Sequence, residues 1–563
     1  MEADKNTTYD AIVVGTGISG GWATKELTEK GMKTLVLERG RMVKHPEYPT
    51  ATKDPWEFEN GDRPTQHDLE RQGKQNRTGY TVRQSTKHWF VDDIDNPYTE
   101  TKRFDWMRGY HVGGRSITWG RQSYRLGDMD FNANVKDGWA IDWPVRYKDI
   151  SPWYDYVEQY IGVSGTVDGL PQLPDGKYLP PMELTCVELD LKKSMKEKFD
   201  RALTIGRTAH LTAPLAHSPQ RGTCQFRNLC SRGCPYGAYF SSLSSTLVAA
   251  EKTNNMTLRP NSIVHSLLYD DATSKATGVL VKDAETGEEM EFKANVIFLC
   301  ASTFGSTYIL LNSTSTRFPN GLGNDSDQLG RNIMDHHLNV GASGDIEGSE
   351  DKYLSGRRAN GFYIPRYRNV GKDKRDYLRG FGYQGGGSRQ GWQRMVAEMS
   401  VGKDLKEDVT KPGIWTIGMG GFGEFLPYSE NRVTLNKDMK DKHGLPTLTF
   451  DVELKENELK MRKDMKNDAA EMLEAAGVKN ISTNDNPGGP GLGIHEMGAA
   501  RMGKDPKTSV LNGFNQVHAC KNVYVTDGSF MVSSACVNPS LTYMAFTARA
   551  VDHAVSELKK GNI

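Results

Sequence analysis

The segment CQFRNLCSRGCP places Cys224, Cys230 and Cys234 at spacings of six and four residues. Three thiolates this close, on a loop bent by Gly233 and Pro235, suit a soft metal centre. Zinc wants a fourth ligand, and no fourth cysteine lies nearby. A disulfide leaves one thiol over, and purely structural thiols remain open as well. A second constellation sits at the other end of the chain. The run GTGISG brings Gly15, Gly17 and Gly20 together after a β-branched stretch, and Glu38 follows at the end of the next one. Glycines at that spacing let a backbone turn tightly and approach a pyrophosphate at a helix N-terminus, and an acid at the next strand end suits a ribose hydroxyl.

These residues need elements to position them. Tyr9–Val14 reads as a strand, residues 22–30 as a helix closed by Gly31, and Thr34–Leu37 as a second strand. Residues 41–104 are polar and rich in Pro, Asp, Arg and Gln, an excursion with little regular structure. Gly113 and Gly114 in GYHVGGRSITWG permit close backbone approach, so that Arg115, Ser116 and Trp119 face a flat ligand. A helix runs to about Tyr160, and residues 165–185 form a proline-rich loop. Residues 278–283 and 288–294 read as a hairpin around Thr286-Gly287, and residues 296–300 as a separate buried strand. Residues 341–485 carry glycine clusters and alternating strand patterns (432–435, 448–452) and are closed by a helix over 456–476. Residues 523–525 form a further strand, and a last helix spans 542–558.

The 563 residues exclude a single small module. Lys+Arg and Asp+Glu both number 71, which argues against a nucleic-acid binder working through bulk charge. With 10 Trp, 23 Tyr and 19 Phe the chain is too aromatic for a solvated coil. No apolar run is long enough for a membrane span, since residues 295–311 are broken by Ser302, Thr303, Gly305 and Ser306. The start MEADKNTTYD has neither a basic nor an apolar signal region, so no export signal is expected on this chain. Seven cysteines are too few for a disulfide scaffold.

GTGISG with Glu38, GGRSITWG, LGRNIMDHH (329–337), HEMGAARMG (495–503) and TDGS…VNPSLTYMAFTARA (526–550) occur in one order along the chain. Together they resemble the glucose–methanol–choline (GMC) flavin oxidoreductases. The resemblance implies an α/β fold: a Rossmann-like FAD-binding domain with a second α+β substrate domain built on an antiparallel sheet. The FAD domain is expected from residues 1–45, 105–160, 215–340 and 486–563. Residues 46–104, 161–214 and 341–485 then give the substrate domain and its excursions. Gly15, Gly17, Gly20 and Glu38 are expected at the nucleotide, Val264 at the adenine side and Asp527-Gly528 at the ribityl–pyrophosphate side. Arg115, Ser116, Trp119 and Gly120 are expected at the isoalloxazine. One branch of the family tethers FAD through a histidine at the position of Thr118; threonine cannot form that bond, so FAD is expected to be non-covalent.

The resemblance also implies a catalytic pair, His495 as general base and Asn538 as orienter, both beside the flavin. His336 and His337 are assigned to the boundary between domains. Gln384, residues 385–387 and Glu424 are pocket candidates by domain position only, with a structural role the favoured reading for each. The cysteine spacing is similar to that of GMC sugar dehydrogenases in which three cysteines hold a [3Fe–4S] cluster. That implies an FAD-dependent dehydrogenase acting on a ring hydroxyl of a pyranose or glucoside, with C3 as the favoured position. Electrons leave through the cluster to a cytochrome c partner, and a small subunit supplies export and chaperoning. The compartment is then the periplasm, reached on the partner's signal, or the cytoplasm. The rivals are an oxygen-using GMC oxidase with structural cysteines and a non-catalytic flavin-binding protein.

Overall fold

Short runs of fully buried aliphatic residues build the first sheet of the computed structural model, which describes residues 3–352, 360–391 and 401–563. Its strands lie in the order Gln516–Val517, Cys520–Val525, Glu289–Leu299, Thr8–Val14, Thr34–Leu37, Met256–Arg259. The pairs from Cys520–Val525 across to Met256–Arg259 are parallel. A sheet buried on both faces needs continuous apolar strands, and residues 34–37 and 296–299 supply them. The expected hairpin strand and the expected buried strand near residue 296 are one element, Glu289–Leu299. Its first half pairs antiparallel with Lys275–Asp283 and its second half parallel with Thr8–Val14. Alternating burial in the first half and continuous burial in the second made one strand read as two.

The crossover helix Ile18–Glu29 is pinned by Trp22. Its indole stands edge-on to Tyr156 and Tyr160 of the helix Tyr147–Ile161, with ring centroids 5.5 and 5.2 Å away. Each such pair adds ~0.5–1.5 kcal/mol beyond burial. The C-terminal helix Ser540–Lys559 packs alongside.

The second sheet is antiparallel, in the order Lys479–Asp485, Val340–Ile346, Trp415–Glu424, Phe381–Arg389, Phe362–Ile364, Thr204–Ile205. One face carries Trp415, Ile417 and Met419 and packs on Met461, Met465 and Met472 of the helix Glu456–Ala475. Strand alternation sends the other set, including Gln384 and Phe422, to the opposite face. There Gln384 lies opposite Gly420, Gly386 opposite Gly418 and Gly382 opposite Phe422. Of these glycines Gly420 faces open space, while Gly382 packs under Tyr363. Residues 432–435 and 448–452, expected as strands of a β-rich domain, belong to Arg432–Lys440 and Pro446–Asp451, which form a small separate sheet with Thr99–Glu100. No helix among the described residues is long and apolar enough to cross a membrane.

Candidate active site

A cavity of about 490 Å³ runs between the two large sheets. Three helix N-termini open on it: Gly17-Ile18, Ser302-Thr303 and Pro539-Ser540 all line its wall. None of the three has a side-chain cap, so their amide N–H groups are left for a ligand, and their dipoles favour negative charge. At the first, Gly15 and Gly17 line the cavity. Gly20 does not: a Cβ there would stand 1.9 Å from the Gly15 carbonyl oxygen, so this glycine lets the helix close onto the turn. Glu38 lines the cavity with its carboxylate accepting from Thr16 N–H at 3.1 Å and Gly40 N–H at 3.0 Å. Burial raises its pKa against those bonds.

Val264 lies farther along the same wall. The far end is lined by Asp441 and residues 446–448, which no sequence pattern places there. Asp441 binds the Arg39 guanidinium at 2.9 Å, and Arg39 lies 4.4 Å from the centre of the Tyr110 ring. Asp527 and Gly528 also line the cavity. The Asp527 carboxylate accepts from Ser529 N–H and Oγ, and a Cβ on Gly528 would meet the Glu496 carbonyl at 2.3 Å. A dinucleotide suits this cradle: uncapped N-termini for its phosphates, a buried acid and glycine-lined close approaches.

At the inner end Arg115, Ser116, Trp119 and Gly120 line the wall beside His495 and Asn538. Arg115 grips Glu496 through two bonds of 3.1 and 2.6 Å. Trp119 donates from Nε1 to the Phe240 carbonyl. Ser116 faces Ser242, whose hydroxyl donates to the Thr16 carbonyl, so the 113–119 turn and the nucleotide turn are tied together. His495 Nε2 and Asn538 Nδ2 are 3.4 Å apart. Gln384 Nε2 donates to Asn538 Oδ1 at 2.5 Å. The His495 backbone is held from behind. Asp335 accepts from the N–H groups of Gly491, Gly493 and His495 at 2.8 to 3.0 Å. Ile494 sits at φ +58°, a conformation that costs a β-branched residue ~1–3 kcal/mol. Burial, then His336 and Arg115, holds His495 well below its ordinary pKa, and burial with Glu496 pushes Asp335 up to about 7.

The structure separates His336 from His337. His337 turns its ring onto Gly423 and the Glu424 carbonyl. His336 Nδ1 lies 2.8 Å from His495 Nδ1. Two of the pocket candidates have the structural role that was favoured for them. Glu424 is buried away from the cavity, bound to Arg379 at 3.2 Å. Residues 385–387 do not line it either: Gly385 packs on the Gly418 carbonyl and Gly387 on Val187.

Cys224, Cys230 and Cys234 are free thiols, each partly exposed, and burial raises the pKa of the first two. Their loop hangs from the Leu211 carbonyl through the Cys224 N–H and packs Gly233 against Tyr48. Five residues beyond Cys234, Tyr239 donates to the Ile117 carbonyl, in the turn whose residues Arg115, Ser116 and Trp119 line the cavity. His210 Nε2 lies 3.7 Å from Cys230 Sγ, a neighbour that sequence spacing did not reveal. Among the described residues, no three His, Cys, Asp or Glu side chains are drawn together closely enough to hold a metal.

Two family models described as GMC oxidoreductase match residues 9–338 and 427–547. The chain is 28% identical to 2-methyl-1,2-propanediol dehydrogenase of Mycolicibacterium austroafricanum, over 97% of this chain and 94% of the relative. It is 24% identical to the fructose dehydrogenase large subunit of Gluconobacter japonicus, over 99% and 100%. Its fold is similar to that of pyridoxine 4-oxidase from Mesorbium loti, with a TM-score of 0.60, 16% identity and coverage of 97% and 99%. With the cradle, the inner His–Asn pair and both family segments on one chain, the protein belongs to the GMC oxidoreductases and is an FAD-dependent oxidoreductase acting on CH–OH donors.

Proposed function

We propose that the chain oxidises a ring hydroxyl of a pyranose sugar or glucoside, at C3 to give the 3-keto sugar, and delivers the electrons to a cytochrome c partner. The carrying observation is the approach of His495 Nε2 and Asn538 Nδ2 on the cavity wall. Dehydrogenating an alcohol needs an acceptor for the hydroxyl proton and a hold on the oxygen as it becomes a carbonyl. At 3.4 Å the two nitrogens are too far apart for a strong bond to each other. A hydroxyl set against both gives its proton to Nε2 and accepts from Nδ2. Gln384 fixes the Asn538 amide so that its NH2 faces the histidine. Bound FAD supplies the acceptor for the hydride that leaves the same carbon. Gly420, paired with Gln384, has nothing within 4 Å of an added Cβ, so no side chain crowds Gln384 from that strand. The fructose dehydrogenase likeness favours a sugar, and its name as a large subunit favours partner chains.

Cys224, Cys230 and Cys234 would hold a [3Fe–4S] cluster, which supplies one-electron transfer out of the protein. Three soft thiols on one bent loop support this by donor type. Export on a small partner's signal belongs to the same proposal.

The test is anaerobic flavin reduction by a panel of pyranoses and glucosides, with the keto product located by NMR. His495→Ala is expected to slow reduction by ~10²-fold or more with FAD retained, and Asn538→Ala to slow it less. Near-normal reduction in His495→Ala overturns the assignment of the base.

A further inference from the structure

We propose that His336 is a positioning residue that sets the tautomer of His495, leaving the lone pair of His495 on the nitrogen that faces the cavity. The inference rests on His495 being the proton acceptor. Its basis is the direction of hydrogen bonding along one unbroken chain of groups. His336 Nε2 lies 2.9 Å from the Ala535 carbonyl oxygen. A carbonyl only accepts, so His336 carries its proton on Nε2. A neutral ring then has its lone pair on Nδ1. That lone pair meets His495 Nδ1 at 2.8 Å, and His495 must donate. The remaining lone pair of His495 is therefore on Nε2, beside Asn538 Nδ2. From the other end the polarity agrees: Gln384 donates to Asn538 Oδ1, which leaves the Asn538 amide as the donor toward His495.

The direction holds as long as His336 is uncharged, since a charged ring would donate at both nitrogens. Burial pushes His336 down to about 4. The ring stands at 84° to that of His495 and lies edge-on to Phe422, and among the described residues no acid is bonded to it to hold a second proton. The carbonyl that anchors the chain belongs to Ala535, at φ +55°, so a strained residue aims it. Which nitrogen of a histidine is protonated is set by the bond the other one makes. Here the other bond is made to a second histidine that does not itself line the cavity.

His336→Phe fills the space but removes the acceptor. His336→Gln restores it: the side-chain carbonyl accepts from His495 Nδ1–H while the amide donates to Ala535. Both variants are purified with FAD, and flavin content and melting temperature are recorded. Anaerobic stopped-flow reduction by an oxidisable sugar or alcohol should fall by ~10-fold or more in His336→Phe, a share of the ~10²–10⁴ a positioned base supplies. His336→Gln should recover most of the rate. Undiminished reduction in His336→Phe, or equal loss in both variants at full FAD content, overturns the proposal. His495→Ala separates the two levels: if it alone is slow, the tautomer relay fails and the base stands; if it is fast, the base assignment itself fails. Should His336→Phe not fold, wild-type enzyme labelled with 15N-histidine decides. The signal that vanishes in His495→Ala must show a protonated Nδ1 and a bare Nε2, and the reverse pattern refutes the relay.

Discussion

Gly17 and Gly20 belong to one glycine motif, yet the structure gives them opposite tasks, and alanine should separate them. At Gly20 a methyl would stand 1.9 Å from the Gly15 carbonyl oxygen and 2.7 Å from its carbon, whereas ordinary contact begins near 3.4 Å. The helix must retreat by about 1.5 Å, the difference between that contact limit and 1.9 Å. Gly21 already faces Ser242 with only 2.6 Å for a Cβ, so retreat on that side is blocked. Overpacking of this kind costs ~1–3 kcal/mol. Gly17 is different. Its φ is −69°, and nothing lies within 4 Å of an added Cβ. Alanine fits the apoprotein without strain, but its methyl enters the cavity at the uncapped helix start. Losing one charge-assisted bond from an amide N–H to a phosphate there costs ~1.5–3 kcal/mol, or ~10–100-fold in affinity. Apoprotein melting and FAD titration by fluorescence quenching measure the two effects. Gly20→Ala should lower the apoprotein's melting temperature by several degrees, and Gly17→Ala should leave it unchanged while weakening FAD. A Gly17→Ala protein that binds FAD as tightly as wild type refutes the placing of the pyrophosphate at this N-terminus.

Acid precipitation should leave FAD in the supernatant, because Thr118 cannot form a histidyl link; flavin in the pellet contradicts this. Because His495 is held below its ordinary 6.5, it stays unprotonated as pH falls through that value. The acid limb of the second-order rate of flavin reduction should therefore lie below pH 6.5, and a limb at or above it counts against His495 as the base. Serine at Cys224, Cys230 or Cys234 should abolish bound iron and acid-labile sulfide and cut cytochrome c reduction steeply, while flavin reduction survives. Wild-type protein, purified anaerobically, that lacks iron removes the cluster from the proposal.

What sequence made legible was local. Thr34–Leu37 and the helix Glu456–Ala475 were expected almost to the residue, because a buried β-branched run and a 3.6-residue apolar period are signals the chain carries by itself. Glu289–Leu299 was split because burial changes along it, and burial is decided by partners from residues 8–14 and 275–283. Asp441, on the cavity wall, meets Arg39 across 402 positions of sequence. No pattern in either segment announces it. Gln384 was a candidate only by domain position; strand alternation and its partner Asn538 make it part of the site, while its neighbours at 385–387 pack elsewhere.

His336 shows most sharply why a site is more than its motif. Two adjacent histidines sit on one short strand, so alternation alone sends them to opposite faces. Which one meets His495 depends on the register of that strand against Trp415–Glu424, where His336 lies opposite Glu424 and His337 opposite Gly423. The absence of a side chain at Gly423 gives the ring of His337 its place, and that fixes where His336 points. The same register brings Phe422 against both His336 and His495. A shift by one residue would exchange the two imidazoles and leave His495 Nδ1 without its acceptor. The proton inventory of the site is thus written in the pairing of the second sheet, while the cofactor cradle is written in the first. Hydride chemistry needs both to meet across one cavity. The strained backbone at Ile494 and Ala535 lies at that junction, and the surrounding fold sustains its cost.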